Sequence, residues 1–368
     1  MPGPHTPWAP APRQGVSASR VGVGAGHWAT VAQFLAARFP AVGDWPARLA
    51  RGDVLDEAGR PLAAETTCRA GAVLWYWRSP PPEPRVPFEI DLLHQDEHLV
   101  VVDKPHFLAV IPGGRHLQET VLVRLKRLLG IDSLAPMHRL DRETAGVLAF
   151  TVQPGTRNAY QALLRGRQVH KVYEAVAPWH AQLALPCTCR HRLEQGTGTG
   201  FMQMQVVAGE PNAETWVELI GVLEPAGPGP GFSAAHPSQP ANTADTADMA
   251  NTADTADMAD MADMADMAGR ADRADTAAQS LPQCLAHYRL TPLTGRKHQL
   301  RAQMNALGLP IVGDRIYPRL WPAPTPGAAP DYTLPLQLLA RELAFADPIS
   351  GEPRRFISRR RLQLAGGA

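Results

Sequence analysis

Cysteine is scarce in this chain, and several common sequence signatures are missing altogether. Four cysteines among 368 residues are too few for a disulfide framework. No N-terminal segment has the charged start and apolar centre of a signal peptide, and no apolar run is long enough to cross a membrane. We therefore expect a protein of the reducing cytoplasm that has no membrane partner.

Motifs for nucleotides and metals are also lacking. The glycines of GVGAG (22–26) recur at every second residue and miss the G-x-G-x-x-G spacing of dinucleotide sites. CTCRH (187–191) has one C-x-C where structural zinc sites use two spaced C-x-x-C pairs, so buried thiols are the simpler interpretation. HRLD (138–141) differs from a kinase catalytic loop, in which Asp directly follows Arg. We expect neither a metal nor a cofactor.

The formal net charge of +1 conceals an uneven distribution of charge. Residues 240–280 contain nine Asp against Arg270 and Arg273, a local charge of −7. The remainder therefore has 34 basic and 26 acidic residues, or +8. A folded part with this excess suits a polyanionic partner, although the same balance also fits plain solubility.

The N-terminal part divides by composition into a tail, a small module and a linker. Residues 1–25 are rich in Pro, Gly and Ala and are expected to form a disordered tail. Residues 28–78 predict a compact α+β module with two helices, TVAQFLAARF and WPARLARG, followed by a strand–turn–strand and a closing strand, GAVLWYWR. The second helix should end at Gly52. SPPPEPRVP (79–87) predicts a stiff, proline-rich linker.

Residues 88–360 are predicted to form a second, larger domain. LVVVD reads as a buried strand, and QETVLVRLKRLLG as an amphipathic helix with a basic outer surface. Further strands are predicted at AGVLAFTV, VHKVYEAVA, FMQMQVV, ETWVELIGVL and AHYRLTP, with helices near 156–165 and at RKHQLRAQMNALG. Helices and strands alternate without a regular βαβ rhythm, which favours an α+β fold.

A low-complexity acidic insertion, residues 221–281, interrupts this domain. Its second half repeats a three-residue unit of Ala, Asp and Met or Thr. A period of three fits neither a helical stripe nor a solenoid repeat, and frequent Asp opposes a helix. We interpret it as a disordered or weakly helical surface segment without a specific role. Because it falls between two predicted strands, it should loop out without breaking the sheet.

Three segments combine polar side chains with the edges of predicted strands and helices. Arg139 and Asp141 precede an apolar strand. Lys171 and Tyr173 are two apart on a strand and so share a face. In the third segment, Lys297 and Arg301 share a helix face, with His298 three residues before Arg301. Taken singly, each segment is typical of a solvated charged patch.

Together and in this order, the segments resemble the RluA-type pseudouridine synthases, which isomerise uridine in structured RNA. HRLD followed by a small-residue strand is the most specific part of the likeness. The matching pieces are DEHLVVVDKP (96–105), HRLDRETAGVLAF (138–150), HKVYEAVA (170–177), LTGRKHQLRAQMNALGLPIVGDRIY (293–317) and LQLLARELAF (336–345). Residues 30–78 more faintly resemble the S-four-type RNA-binding module, although acids intermingle with its arginines.

The resemblance implies a fold, a reaction and a site. It implies a mixed, mainly antiparallel sheet flanked by helices, and an isomerase that acts on ribosomal or transfer RNA. DNA is not an expected partner, and a monomer is expected. The implied catalytic residues are Asp141, Tyr173 and Arg301. The implied substrate-binding residues are Arg139, Lys171, Lys297 and His298, with the basic helix 118–129 holding phosphates.

Two alternatives and one mechanistic question stay open. A non-catalytic RNA-binding protein could retain the fold, but it has no use for the full set Asp141, Tyr173 and Arg301. A metal-assisted nuclease or deaminase needs clustered carboxylates or a Cys/His zinc signature, and neither appears in the sequence. Asp141 could attack the anomeric carbon or remove the neighbouring sugar proton. The chain also departs from the family at Ala145, at His106-Phe107 and at Ala302-Gln303, where Val-His is common.

Overall fold

The computed structural model describes residues 8–40, 42–78, 83–114, 116–197, 202–223, 284–322 and 329–365. Contacts within the chain divide these residues into two units. The first consists of the described residues up to Val86 together with Ala109–Leu134. The second consists of Pro87–Leu108 together with the described residues from Ala135 onward. The predicted second domain starts at Phe88, but Ala109–Leu134 groups with the first unit.

The first unit contains a three-stranded antiparallel sheet in the order β1-β3-β2. Its elements are β1 (Ser19–Gly22), α1 (Val31–Arg38), α2 (Trp45–Ala50), β2 (Val54–Leu55), β3 (Val73–Tyr76) and α3 (Val121–Leu129). Helix α1 begins at Thr30, whose side chain accepts a hydrogen bond from the Gln33 amide. Gly52 follows α2 with φ +73°, as a helix-terminating glycine should. The predicted helices and closing strand are confirmed, whereas the likeness to the S-four-type module stays a prediction.

The predicted disordered tail is wrong for its second half. Strand β1 pairs with β3 from Ser19 opposite Tyr76 to Gly22 opposite Val73. Val16 and Val23 on either side of it are buried. A four-residue strand with alternating burial is too short to stand out against a composition rich in Pro, Gly and Ala. Residues 1–7 of the tail lie outside the described residues.

The proline-rich linker is partly fastened to the first unit. Residues 79–82 lie outside the described residues. The carboxylate of Glu83 accepts hydrogen bonds from the backbone amides of Leu117, Gln118 and Glu119, at 2.7–2.9 Å. The Glu119 carboxylate in turn accepts one from the Val86 amide at 2.8 Å. Residues 83–86 therefore do not act as a free spacer.

Helix α3 is amphipathic as predicted, but its basic side chains are largely engaged within the protein. Lys126 is buried, and Arg124 pairs with Glu119. Arg127 donates to the carbonyl of Gln14 through Nε and Nη2, at 3.0 and 2.8 Å. Leu128, predicted on the apolar face, is 73% exposed. These contacts do not support the expectation that this helix presents a basic surface to RNA phosphates.

The second unit is built on one eleven-stranded sheet. Nine strands follow the order β10-β9-β11-β12-β8-β13-β7-β5-β4, with β14 beside β13 and β6 beside β7. The strands are β4 (Asp91–Gln95), β5 (Leu99–Lys104), β6 (Ala135–Pro136), β7 (Ala145–Thr151), β8 (His170–Pro178), β9 (Cys187–Gln195), β10 (Met204–Val207), β11 (Ala213–Leu223), β12 (Leu285–Pro292), β13 (Leu338–Ala346) and β14 (Pro353–Ile357). Only the β7–β13 pair is parallel among the described strand pairs, so the predicted mixed, mainly antiparallel sheet is confirmed.

Two helices of the second unit pack on different parts of this sheet. Helix α4 (Arg157–Arg165) contributes Tyr160 and Leu163 to a core with residues of β5 and β7. Helix α5 (Gln299–Ala306) contributes Leu300 and Met304 to a core with residues of β8 and β12. No helix in the described ranges is long and apolar enough to span a membrane.

Strand β9 contains the two cysteines of CTCRH. Cys189 is 3% exposed, and burial raises the pKa of its thiol to about 12. In the described part of the chain, no group of three or more His, Cys, Asp and Glu side chains could hold a metal ion. The arrangement fits the interpretation of buried structural thiols.

The acidic insertion connects two adjacent strands. Strands β11 and β12 pair antiparallel up to Leu223 opposite Leu285, where β11 ends and β12 begins. The pairing of the sheet thus continues to the root of the insertion, as predicted. Residues 224–281 of the insertion lie outside the described residues.

Candidate active site

Asp141 lies in the loop that leads from β6 into β7. Strand β7 begins with two small residues because β13 approaches closely there: Ala145 and Gly146 pair in parallel with Leu339 and Ala340. Gly146 has φ +112°, and a Cβ atom there would lie 2.2 Å from the Ala340 carbonyl oxygen. Only glycine fits this position without displacing the backbone. The end of the loop that holds Asp141 is thereby fixed beside β13.

Arg301, from α5, contacts Asp141 across 160 residues of sequence. Its Nη1 donates to Asp141 Oδ2 at 2.9 Å. The Arg301 side chain is 1% exposed, whereas the Asp141 side chain is 26% exposed. The predicted pair is therefore present, with the cation buried behind the carboxylate. The carboxylate remains open to a substrate.

A second carboxylate, Asp314, holds the other side of the same guanidinium. Arg301 Nε donates to Asp314 Oδ2 at 2.8 Å, and Nη2 donates to Oδ1 at 2.6 Å. This two-point contact matches the planar fork of a guanidinium. Asp314 belongs to the Gly-Asp turn of the family likeness, but the sequence did not identify it as a site residue.

The charges around Asp141 keep it ionised. Burial by itself raises the pKa of Asp141, but His298, Arg301 and the Arg301 hydrogen bond lower the pKa below its ordinary value. Burial would lower the pKa of Arg301, yet contact with Asp314 and Asp141 raises it. Because both shifts favour the charged forms, the site presents a carboxylate at neutral pH.

His298 lies beside the pair at the start of α5. Its backbone has φ +49°, and its Nε2 is 3.9 Å from Asp141 Oδ1. Its Nδ1 is 3.5 Å from the Tyr317 hydroxyl. Burial lowers the pKa of His298, against the opposing charge of Asp141. The left-handed residue also explains why α5 begins at Gln299, later than the helical pattern predicts.

Tyr173 and Lys171 lie on β8, next to β13. Tyr173 pairs with Ala340, the residue that also pairs with Gly146. Burial and then the charge of Asp141 raise the pKa of Tyr173, so the phenol stays protonated. Burial lowers the pKa of Lys171, whose Nζ would lie 3.5 Å from a Cβ built on Gly295. Strand β8 and the segment 293–317, which contains Arg301, therefore meet at the same site.

Arg139 and Lys297 are exposed near Asp141. Neither side chain makes a hydrogen bond or ion pair with any described residue. Burial lowers the pKa of Lys297, while the Asp141 charge raises it and the Arg139 charge lowers it. The two unpaired cations therefore lie in the same electrostatic environment as the carboxylate and can accept an anionic ligand.

Lys104, at the end of β5, is a site residue that sequence reasoning missed. It is fully buried and donates to the carbonyls of Pro105, Leu108 and Arg142, at 2.8–2.9 Å. Burial lowers its pKa to about 7, against the charges of Glu143 and Asp141. The lysine joins the loop after β5 to the loop of Asp141. A lysine directly before Pro105 is a weak signal that could have indicated it.

His138 and Arg142, on either side of Arg139 and Asp141, make structural contacts. Arg142 Nε donates to the Glu143 carboxylate at 2.8 Å, and His138 Nε2 accepts from the Ala149 amide at 3.3 Å. Gln303, where the family commonly has His, is also structural: it accepts from the Thr215 hydroxyl at 2.6 Å and donates to the Cys189 carbonyl at 3.1 Å. Each contact stabilises the frame of the site.

His138 should make stability depend on pH. Burial, and then the charge of Lys171, lower the pKa of His138 to about 3, so it folds in its neutral form. The unfolded chain binds a proton below about pH 6.5, and the folded chain does not, so stability falls as the pH falls from 6.5 toward 3. His138→Gln should remove about 1–2 kcal/mol of the loss between pH 7 and 5. Urea unfolding at both pH values measures it, and an unchanged difference would contradict the buried neutral imidazole. His180→Gln, at an exposed histidine, is the control.

Comparison with known proteins identifies the family to which the chain belongs. The family model of RNA pseudouridylate synthases matches residues 98–306, more than half of the chain. An uncharacterized RNA pseudouridine synthase of Synechocystis is 36% identical over 132 residues, which cover 36% of this chain and 45% of that protein. The dual-specificity RNA pseudouridine synthase RluA of Haemophilus influenzae is 26% identical over 291 residues, which cover 76% of this chain and 94% of that protein.

A solved structure also aligns with the chain. The human RNA pseudouridylate synthase domain containing 1 has a TM-score of 0.47 and 18% identity, over 76% of this chain and 86% of that one. The family match starts at residue 98 and so does not include residues 28–78. It does include Asp141, Tyr173 and Arg301. The chain therefore belongs to the RNA pseudouridine synthase family, whose members are isomerases that modify RNA.

Proposed function

We propose that this chain isomerises specific uridines to pseudouridine in structured ribosomal or transfer RNA, with Asp141 as the catalytic residue. The observation that carries the proposal is the carboxylate itself. It is ionised, partly exposed and braced by a buried arginine. A protein that only binds RNA gains nothing from an anion at its binding site, because RNA phosphates repel it. The arrangement thus favours catalysis over the non-catalytic alternative.

The reaction needs a carboxylate at the sugar. The bond from the anomeric carbon to N1 of uracil breaks, the base turns, and a bond from the same carbon to C5 forms. The C5 proton is lost and N1 gains a proton, so the product is an isomer. Asp141 either attacks the anomeric carbon or removes the neighbouring sugar proton. Either role requires the ionised form that Arg301 stabilises.

The other residues have proposed roles around the base and the phosphates. A uridine within an RNA helix must leave the stack to reach Asp141, at a cost of a few kcal/mol. Arg139, which is exposed, would fill the space that the base leaves. Tyr173, protonated and partly buried on β8, would lie against the base. Lys171, Lys297 and His298 would contact the RNA backbone near the site without reading sequence.

Binding should depend on salt through the unpaired cations. Lys297→Ala should weaken RNA binding and reduce the slope of log K against log salt by about 0.7–0.9, the loss of one phosphate contact. Fluorescence anisotropy with a labelled RNA stem–loop at several salt concentrations measures the slope. Arg165→Ala removes an exposed arginine from α4 and serves as the matched control. A slope equal to that of the native chain would assign Lys297 to a role other than phosphate binding.

The function is tested in the cell and with the purified chain. Pseudouridines are mapped across total RNA from cells with and without the gene, and a site that disappears identifies the substrate. The purified chain should then restore that pseudouridine in RNA from the deletion cells. If every pseudouridine persists without the gene and the purified chain modifies no RNA, the proposed function is wrong.

A further inference from the structure

We infer that Asp314 is a positioning residue for the reaction, because it holds the Arg301 guanidinium in the orientation that directs Nη1 at Asp141. The inference rests on the proposed function. It gives Asp314 a role in the rate although Asp314 takes no direct part in the chemical steps. Asp314 lies on the opposite side of the guanidinium from Asp141 and is 3% exposed. It therefore acts through Arg301.

Every oxygen of the Asp314 carboxylate is engaged. Oδ2 accepts from Arg301 Nε at 2.8 Å. Oδ1 accepts from Arg301 Nη2 at 2.6 Å and from the backbone amides of Ile316 and Tyr317 at 2.8 and 3.0 Å. Two donors belong to the arginine and two to the turn that follows Asp314. The carboxylate thus ties the guanidinium to a segment of backbone.

That backbone turn is held in place independently of Arg301. Gly313 has φ +76°, and a Cβ atom there would lie 2.4 Å from the Pro335 carbonyl oxygen. The Asp314 amide donates to the Ile311 carbonyl at 3.2 Å, and the Val312 carbonyl accepts from the Gln337 amide at 2.8 Å. The turn is packed against the segment before β13, so Asp314 has a fixed position before the arginine meets it.

Because Asp314 has a fixed position, its two contacts with Arg301 set the orientation of the guanidinium. The group is planar, so two contacts, at Nε and Nη2, leave Nη1 pointing along one line. Asp141 Oδ2 accepts a hydrogen bond from Nη1 at 2.9 Å. The Tyr317 ring covers the guanidinium at 5.7 Å from its central carbon, and the Tyr317 hydroxyl is held by the Met204 amide at 2.6 Å. One turn therefore supplies both the carboxylate and the ring that confine Arg301.

Charge alone does not explain Asp314. A second anion near Asp141 opposes the ionisation that the reaction requires, because like charges raise the pKa of a carboxyl group. An arginine facing only Asp141 would stabilise the catalytic carboxylate more strongly. Asp314 therefore contributes orientation, which outweighs its unfavourable charge. Orientation has a large effect on rate, since a displacement of about 1 Å can cost about 100-fold.

Asp314→Asn separates orientation from folding. The amide oxygen can still accept from Ile316 and Tyr317, so the turn keeps two of its hydrogen bonds, but the amide NH2 faces the Nε–H of Arg301. We expect kcat to fall about 10- to 100-fold with an unchanged Kd for RNA. The acid limb of kcat should move upward by about one pH unit, because Asp141 loses an aligned counter-ion. Single-turnover tritium release from labelled uridine across pH measures both.

The acid limb of kcat reports the ionisation of Asp141, which interacts electrostatically with seven other titratable groups. These are His298, Arg301, Lys104, Glu143, Lys297, Tyr173 and Tyr317. Asp314→Asn changes the partner of Arg301 and leaves the other groups in place. Asp314→Glu, which restores a carboxylate, should recover part of the rate and move the limb back. Asp331→Asn removes an exposed aspartate that pairs with Arg315 and should change neither quantity.

A double-mutant cycle completes the test. In an Arg301→Met background, Asp314→Asn should cause no further loss of kcat, because its target is gone. The inference is overturned if the two losses multiply, or if Asp314→Asn lowers kcat with an acid limb identical to that of the native chain. Either result would show that Asp314 does not act by orienting Arg301. A native chain that modifies no RNA would instead refute the proposed function, so the two failures are distinguishable.

Discussion

An Asp141→Asn variant isomerises no uridine, yet it binds RNA nearly as tightly as the native chain. The substitution keeps the size of the side chain and an oxygen for the Arg301 hydrogen bond, but it removes the charge with which Asp141 is proposed to attack the sugar or accept its proton. We expect a loss of at least about a thousand-fold in single-turnover rate, as for other essential catalytic groups. The RNA affinity should stay within about two-fold or rise slightly, because a negative charge next to the phosphates is gone.

The measurement compares pseudouridine formation in one RNA by the two proteins, with RNA affinity determined by anisotropy. Asp331→Asn is the matched control, since it makes the same chemical change at an exposed aspartate. Circular dichroism and the urea midpoint show whether Asp141→Asn is folded. Full activity in a folded Asp141→Asn variant would remove the central residue of the proposed function.

The pairing of Asp141 with Arg301 was predictable because its signal does not depend on local structure. Asp141 and Arg301 are 160 residues apart, but each lies in a segment whose order and spacing resemble one family, and the structure joins them at 2.9 Å. Helices α1 and α4 and strands β5, β7 and β8 were predictable for a different reason. Their apolar residues recur at the helical period or form runs typical of buried strands.

Other features could not be predicted because they depend on tertiary contacts between distant loops. A buried lysine is stable only where carbonyl groups accept hydrogen bonds from its ammonium group. For Lys104, these carbonyl groups belong to two loops that no sequence pattern connects. The basic residues of α3 gave the opposite error. They looked solvated, but Arg124 and Arg127 contact Glu119 and the Gln14 carbonyl. Charged residues are ambiguous in sequence because their partners are not visible there.

Strands β4 and β9, which the sequence did not predict, share a physical cause. Strand β9 reads CTCRHRLEQ, with polar residues on one face and few β-branched residues, so its period of two is weak. Strand β4 pairs with a single neighbour at the end of the sheet and is largely exposed. Both strands are held mainly by pairing with their neighbours in the sheet. Their own sequences therefore show little of the alternation of apolar and polar residues that predicts a strand.

Arg301→Met should lower both the rate and the stability of the protein. Methionine fills much of the same volume but leaves Asp141 and Asp314 as two carboxylates without their shared cation. Breaking a buried ion pair by removing one partner costs about 3–5 kcal/mol. The pKa of Asp141 should rise, since burial then acts with less opposing charge, and the acid limb of kcat should move to higher pH. We expect kcat to fall about 100-fold or more, with RNA binding nearly unchanged because Arg301 is 1% exposed.

The comparison of kcat with RNA affinity decides between two roles for Arg301. Single-turnover rates at saturating enzyme report the chemical step, and anisotropy reports binding. Arg315→Met removes an arginine that pairs with Asp331 at 3.1 Å on the surface, and it should alter neither value. If Arg301→Met weakened binding while bound RNA turned over at the native rate, Arg301 would be a phosphate contact. Arg301 is buried between two carboxylates, and a phosphate could reach it only by displacing Asp141 or Asp314. This burial argues that Arg301 acts in the chemical step and does not contact phosphate.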